Sequence, residues 1–248
     1  MSTPTIDIHP ALAEAMTDFD TPENRAAWEQ REVPKTPWMR HKDTTPEDLD
    51  VEWRRAVERI AERTGERFAR WMANVPARFQ AAHLGELTDE QHPADLRRWL
   101  GDPEVLTLFI VGAPGRGKTH AAYALANAAA ASAAANGIDL PRAWTVPGLL
   151  DDLRPSSRGD SETLWDTAKA RPLLVLDDLA NVRATDWAIE RIWMLADART
   201  GDNLRTIITT NAAWPDLEAT WGVPTMDRFR DRSAVVKFSG ETHRKPAW

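Results

Sequence analysis

The sequence contains no cysteine, so neither a disulfide nor a thiolate-bound metal site can form. Long apolar runs are missing too. The longest stretch of low charge, residues 119–137, is mostly alanine and too weakly apolar to span a membrane. The first residues lack the basic segment and apolar stretch of a signal peptide. We therefore expect a soluble cytoplasmic protein with no membrane partner.

Excess positive charge is also absent. The formal charge of −7 argues against a protein that coats nucleic acid through its net charge, although a local basic groove is compatible with it. A chain of 248 residues can bury one core of about 150 residues with something smaller attached. The composition therefore favours one main globular unit.

The pattern along the chain predicts two regions, a helical N-terminal region at 1–73 and a second region at 74–248. Residues 1–48 are proline-rich and predict an arm with short helices over 10–16 and 22–32. Residues 47–73 predict one long amphipathic helix. Its apolar face repeats at three- and four-residue spacing, at Trp53, Val57, Ile60, Thr64, Phe68 and Trp71.

From residue 105 onward, apolar strands alternate with helices. Such alternation predicts an α/β fold with a parallel five-stranded sheet covered on both faces. On the helix after the third strand we expect Ile189, Ile192, Trp193 and Ala196 to form the buried face. The predicted strands are 105–112, 142–146, 173–178, 205–211 and 234–240.

The loop between the first strand and the next helix fits the phosphate-binding pattern G-x-x-x-x-G-K-[ST], in the strand–helix context that this motif requires. Its glycines let backbone N–H groups point at phosphate oxygens, and the helix N-terminus favours the same negative charge. Lys118 can reach the β- and γ-phosphates, and the Thr119 hydroxyl can bind Mg²⁺. The predicted nucleotide-binding residues are Gly112, Ala113, Pro114, Gly115, Arg116, Gly117, Lys118, Thr119 and His120. For His120, packing in the first helical turn is the simpler interpretation.

Two carboxylates end the third predicted strand. Asp177 is expected to hold Mg²⁺ through its water shell, and Asp178 to orient and deprotonate the attacking water. The phosphate loop upstream is what makes this acidic strand end indicate a nucleotide site.

These motifs resemble the AAA+ ATPases, and more narrowly the DnaC/DnaI type of replicative helicase loader and its IstB-like relatives. Residues 74–87 resemble the segment that precedes the ATPase core in that group. The Walker B strand and its helix correspond to 173–200, the sensor 1 strand to 205–211, and the closing arginine-bearing box to 226–244. The resemblance implies an AAA+ core that binds ATP and Mg²⁺.

The resemblance also implies roles for three more residues. Asn211 falls on sensor 1, near the γ-phosphate and the attacking water. Arg228 falls on the arginine finger that a neighbouring subunit inserts into this site, although Arg230 and Arg232 stand close enough to exchange roles with it. Arg244 falls on the sensor 2 arginine.

The sequence departs from the family pattern twice. The second acidic position is Asp178, where many AAA+ enzymes have glutamate, and the shorter side chain predicts slow hydrolysis that suits a switch. Only eight residues follow Gly240, so we expect a truncated lid. Loaders and IstB-like proteins also end soon after this arginine.

The resemblance therefore implies an ATP-dependent loader that delivers a hexameric replicative helicase onto single-stranded DNA. Residues 1–73 are expected to bind the helicase, and subunits to self-associate with ATP at their junctions. Lys169, Arg171 and Arg183 are candidates for DNA contact, although solvated surface is the simpler account of each. Two alternatives stay open: an IstB-like ATPase that regulates a transposase, and a nucleotide-binding, non-catalytic adaptor. A metabolic kinase is disfavoured by the sensor strand, the arginine box and the lack of an identifiable acceptor site.

Overall fold

The computed structural model describes residues 9–17, 19–32, 46–154, 161–240 and 242. Five parallel strands form one sheet in the order β2-β3-β4-β1-β5. The predicted α/β fold with a parallel five-stranded sheet is thereby confirmed. The strands are β1 (Thr107–Val111), β2 (Arg142–Thr145), β3 (Leu173–Asp177), β4 (Arg205–Thr210) and β5 (Ser233–Lys237).

Ten α-helices lie within the described part of the chain. They are α1 (Pro10–Met16), α2 (Pro22–Glu32), α3 (Pro46–Met72), α4 (Pro93–Gly101), α5 (Lys118–Ala135), α6 (Val146–Asp152), α7 (Ser161–Ala170), α8 (Asp186–Gly201), α9 (Trp214–Trp221) and α10 (Val223–Arg230). Short 3₁₀ turns occur at Ala77–Phe79, Leu84–Glu86 and Asp89–Gln91. No described helix combines the length and apolar character needed to cross a membrane.

The sheet separates two cores because successive strand side chains point to opposite faces. Leu108 and Ile110 of β1 belong to the buried cluster that includes α5 and α3, whereas Phe109 belongs to the cluster that includes α6, α8, α9 and α10. Helix α5 is buried around most of its circumference, and its alanines allow the sheet on one side and other helices on the other to approach closely. This arrangement holds the loop before α5 at the carboxyl edge of the sheet.

The N-terminal helices pack on the core formed by the sheet and α5. Helix α3 buries Phe68 and Trp71 in the same cluster as α5, which agrees with the amphipathic face predicted for it. The indole N–H of Trp71 donates to Asn127 Oδ1 at 2.8 Å, and Ala11 of α1 is buried beside α5. Helix α2 meets α3 through the rings of Trp28 and Trp53, whose centroids are 5.6 Å apart. The domain boundary at residue 73 stays a prediction.

The predicted buried face of α8 is wrong at one position. Trp193 is 38% exposed, while Ile192 is buried. The buried positions are Ala188, Ile192, Leu195, Ala196 and Arg199. The buried stripe thus runs through Leu195 and Arg199, because the carbonyls around Arg199 satisfy its guanidinium. An apolar pattern could not reveal a buried arginine. Thr185 caps the start of this helix, since its Oγ1 accepts from the Ala188 amide at 3.3 Å.

Candidate nucleotide-binding site

The loop from Gly112 to Gly117 connects β1 to α5 and needs glycine at defined points. Gly115 and Gly117 have φ values of 83° and 80°, in the left-handed region that glycine adopts without strain. A Cβ on Gly112 would lie 2.7 Å from the carbonyl oxygen of Phe238, after strand β5. The glycine spacing therefore reflects both backbone shape and close packing.

Donors without partners occur in this loop, where residues 115–117 line a cleft. The amides of residues 115–117 make no hydrogen bond within the described chain. Arg116 Nη1 is buried and also has no partner among the described residues. Lys118 Nζ donates to the Ala113 carbonyl at 3.0 Å, across the loop. A buried donor without an acceptor is costly, and the half-buried loop amides lie beside it, so this arrangement fits an anionic group such as a polyphosphate.

Asp177 joins the loop to two strands. Its Oδ1 accepts from Thr119 Oγ1 at 2.8 Å and from Thr209 Oγ1 at 2.6 Å. Burial raises the pKa of Asp177, and these two hydrogen bonds offset part of that rise. Thr119 of α5 and the end of β3 thus meet at a hydroxyl and a carboxylate, both hard oxygen ligands of the kind that Mg²⁺ prefers.

Asp178 has a positive φ of 64°, which is uncommon for a residue other than glycine. Its amide donates to Thr209 Oγ1 at 2.9 Å, and its Oδ2 accepts from Asn181 Nδ2 at 3.1 Å. Asp178 and Asn211 both line the cleft above the loop. The structure therefore brings these two sequence-predicted residues to the same space as Lys118 and Thr119.

The cleft has a volume of about 510 Å³ and contains residues that sequence reasoning missed. Arg78 and Phe79 line it from the segment that follows α3. The Arg78 guanidinium lies 4.5 Å from the Phe79 ring centre, and Phe79 stacks on Tyr123 of α5 at 4.6 Å. Burial raises the pKa of Tyr123 to about 12, so its hydroxyl stays protonated at neutral pH. No local pattern could predict that residues more than 30 positions upstream reach the loop.

Two further contacts support the loop from residues 86–91. Gln91 Nε2 donates to the Arg116 carbonyl at 3.3 Å, and Gln91 also completes a capping box with Thr88. His120 lines the cleft and lies with Nε2 3.5 Å from Glu86 Oε2. His120 thus has a polar contact with Glu86 and a ring contact with Phe79, whose centroid lies 6.5 Å from that of His120, as well as a place beside the cleft.

The described residues contain no group of three or more His, Cys, Asp or Glu side chains that could hold a metal unaided. Thr119 and Asp177 supply only two oxygen ligands. Mg²⁺ in nucleotide sites is held by one or two protein oxygens, substrate phosphates and water, so these two residues fit it.

The three arginines near the end of the chain lie in different environments. Arg228 Nε pairs with Asp197 Oδ1 of α8 at 2.9 Å, with about half of its side chain exposed. Arg230 lies over the Trp214 ring at 5.7 Å. Arg232 is tied to the Glu104 carbonyl at 2.8 Å and to Asn203 Oδ1 at 2.6 Å. None of the three lines the cleft of its own chain, and Arg244 lies outside the described residues.

Solved structures share this architecture. The DnaC helicase loader is 25% identical, with a TM-score of 0.57 over 66% of this chain and 100% of that one. DnaI is 22% identical, with a TM-score of 0.57 over 68% of this chain and 94% of that one. The chain has the AAA+ fold of the DnaC helicase loader. This is a nucleotide-binding ATPase fold.

More distant structures show the same fold. The replication initiator DnaA bound to AMPPCP and single-stranded DNA is 16% identical, with a TM-score of 0.53 over 64% of this chain and 50% of that one. No family model and no curated protein matches the sequence. The DnaC and DnaI structures thus extend the resemblance seen in the motifs to the three-dimensional fold.

Proposed function

We propose that this protein is an ATP-dependent loader that delivers a replicative DNA helicase onto single-stranded DNA, with ATP binding and hydrolysis as its assembly and release switch. One observation carries the proposal. The phosphate loop, Asp178 and Asn211 line one cleft, with Asp177 bonded to Thr119 beneath it, in a chain with the DnaC fold.

Each residue has a separate role in the proposed switch. The loop amides, Arg116 and Lys118 bind the phosphates, while Thr119 and Asp177 hold Mg²⁺. When bound, ATP would supply the phosphoanhydride bond that is hydrolysed, and Mg²⁺ would neutralise part of the phosphate charge. Asp178 takes the proton of the attacking water, with Asn211 orienting it. Asn181 already holds one Asp178 oxygen, and the positive φ of Asp178 is the kind of local strain found at functional sites.

Self-association is part of the proposal because Arg228 lies outside its own cleft. Arg232 has structural partners in its own chain and Arg230 lies over Trp214. Among the described residues, the half-exposed side chain of Arg228 pairs only with Asp197, and an exposed ion pair costs little to break. Arg228 is therefore the best candidate for the cation that completes the site of a neighbouring copy.

The loader is tested by mixing the full chain with a hexameric replicative helicase from its own replication system, with and without ATP. Light scattering on a sizing column measures the mass of the products. We expect a defined heavier complex whose ATP dependence is lost in Lys118→Ala. The absence of a complex in both states would contradict the proposal and favour the transposase regulator or the adaptor. The full chain is used because Phe68 and Trp71 belong to the core.

Asp178→Asn distinguishes the switch from a non-catalytic adaptor. We expect ATP turnover to fall by about 10²- to 10⁴-fold, because the general base is lost. ATP binding and melting temperature should stay unchanged, since asparagine tolerates the positive φ. Phosphate release and nucleotide titration measure the two effects, with the exposed Asp151→Asn as the control. Unchanged turnover in Asp178→Asn would favour the adaptor.

A further inference from the structure

A second cleft, of about 520 Å³, lies where α3 ends against the starts of β2 and β3. Four arginines line it together with a single carboxylate. We name it the arginine cleft, defined by Arg67, Arg70, Arg142 and Arg171, with Asn74 and Asp139. The parallel strands begin at this edge, whereas the phosphate loop follows the end of β1. The arginine cleft is thus at the opposite edge of the sheet from the nucleotide cleft.

The charges in the arginine cleft are poorly compensated. Arg171 pairs with Asp139 at 3.2 Å, but about three quarters of the Asp139 side chain is exposed. Arg70 and Arg142 have no ion pair among the described residues. Burial and the neighbouring charge of Arg171 both lower the pKa of Arg142. Like charges held together in a chain of net charge −7 are relieved by a bound anion.

An unsatisfied donor also lies in this cleft. Arg67 Nη2 donates to the Ile138 carbonyl, yet its Nε is buried without a partner among the described residues. Guanidinium groups present paired N–H donors that match the oxygens of a phosphate. Beside them, Ile138 is 51% exposed, and Leu140 and Pro141 add apolar lining. Guanidinium groups can bind the phosphates of a nucleic acid strand, and the neighbouring apolar side chains can contact its bases.

We infer that the arginine cleft binds the phosphodiester backbone of a nucleic acid. That the protein meets DNA rests on the proposed function. That the contact lies in this cleft rests on the charges and donors of the cleft itself. This location differs from the DNA contacts that the sequence suggested. Of those three residues, Arg171 lines the arginine cleft, whereas Lys169 and Arg183 do not.

The test measures binding of a labelled 20-nucleotide dT strand and a 20-base-pair duplex to the full chain by fluorescence anisotropy, from 50 to 200 mM salt. The variant is Arg70→Gln/Arg142→Gln. The control, Arg98→Gln/Arg154→Gln, removes the same charge from exposed positions elsewhere. For whichever nucleic acid binds more tightly, we expect the variant to lose about tenfold or more in affinity. If that nucleic acid is the single strand, the slope of log binding constant against log salt concentration should fall in magnitude by about 1.4. The control should change less than about twofold.

Three results would overturn the inference. They are equal losses in variant and control, no binding of either nucleic acid by the unmodified chain, and a polyglutamate peptide that binds this cleft while the nucleic acids do not. Melting temperatures verify folding, and Arg70→Gln alone serves if the double variant is unstable. The affinity for ATP should be unchanged in Arg70→Gln/Arg142→Gln. Lys118→Ala should lose ATP binding but retain the nucleic acid affinity of the unmodified chain. A failure of the ATP switch and a failure of this cleft are therefore distinguishable.

Discussion

At the scale of single residues, Asp177 illustrates how a binding group opposes the stability of the fold. Because burial raises its pKa above the unfolded value, its stabilising contribution is present in acid and is lost as pH rises through the folded pKa. At neutral pH the buried carboxylate therefore carries a cost in the absence of a cation.

Asp177→Asn should raise the melting temperature at pH 7 without nucleotide, because the amide oxygen can still accept from Thr119 and Thr209. The difference should shrink as pH falls below about 4, where aspartic acid is protonated in both states. Thermal melting from pH 3.5 to 7.5 measures it, with the half-exposed Asp197→Asn as control. A lower melting temperature at pH 7 would contradict the argument.

Arg199 is a buried cation whose described hydrogen-bond partners are a hydroxyl and carbonyl oxygens. Its guanidinium donates to Thr206 Oγ1 at 2.9 Å and to the carbonyls of Ala168 and Arg171 at 2.8 and 2.9 Å. Burial lowers its pKa to about 9, so it stays charged at neutral pH.

Arg199→Lys should lower the free energy of unfolding by about 3 kcal/mol, since one ammonium cannot reach all of these acceptors. Urea denaturation measures the loss, and the exposed Arg183→Lys should change stability by less than about 0.5 kcal/mol. Equal stability of Arg199→Lys and the unmodified chain would show that the acceptors find other donors.

At the scale of elements, the buried side chain of Asn127 connects α5 to the segment before the nucleotide cleft. Asn127 accepts from Trp71 and donates to the carbonyls of Phe79 and Ala82 at 3.3 and 2.8 Å. It therefore fixes the backbone beside Arg78 and Phe79 as well as the end of α3.

Asn127→Ala should destabilise the fold by about 3 kcal/mol, because three buried polar groups lose their partner. Nucleotide affinity should fall too, since Phe79 loses its backbone anchor. Calorimetric melting and nucleotide titration measure the two effects. The control, Asn136→Ala, removes an exposed side chain at the end of the same helix and should change both slightly. A loss of stability with unchanged affinity would separate the anchor from the cleft.

The elements that sequence could predict are those with a strong local pattern. Strand β3, helix α3 and the loop before α5 each follow from spacing or a motif. Helices α4, α9 and α10 were missed because they are short and lie between stronger signals. The approach of Arg78, Phe79 and Gln91 to the cleft could not be predicted, because it depends on how α3 and the 3₁₀ turns fold back onto α5.

At the scale of the whole molecule, nucleotide binding should stabilise the entire chain. At Mg²⁺-ATP concentrations about 100 times the dissociation constant, binding contributes about 2.7 kcal/mol. For a chain of this length that is a rise of about 5–10 °C in melting temperature. Differential scanning fluorimetry measures it, with Lys118→Ala as the variant that should not respond. An equal shift in that variant would indicate binding away from the phosphate loop.

Helix α5 has the sheet on one side and α1 and α3 on the other, and it begins at the phosphate loop. Its central amides cannot meet solvent unless both layers separate. We therefore expect the slowest hydrogen exchange in the chain along Ala121–Ala131, at rates set by global unfolding. We expect faster exchange in the phosphate loop itself. A ligand bound there therefore orders a short segment that is attached to the most stable helix of the molecule.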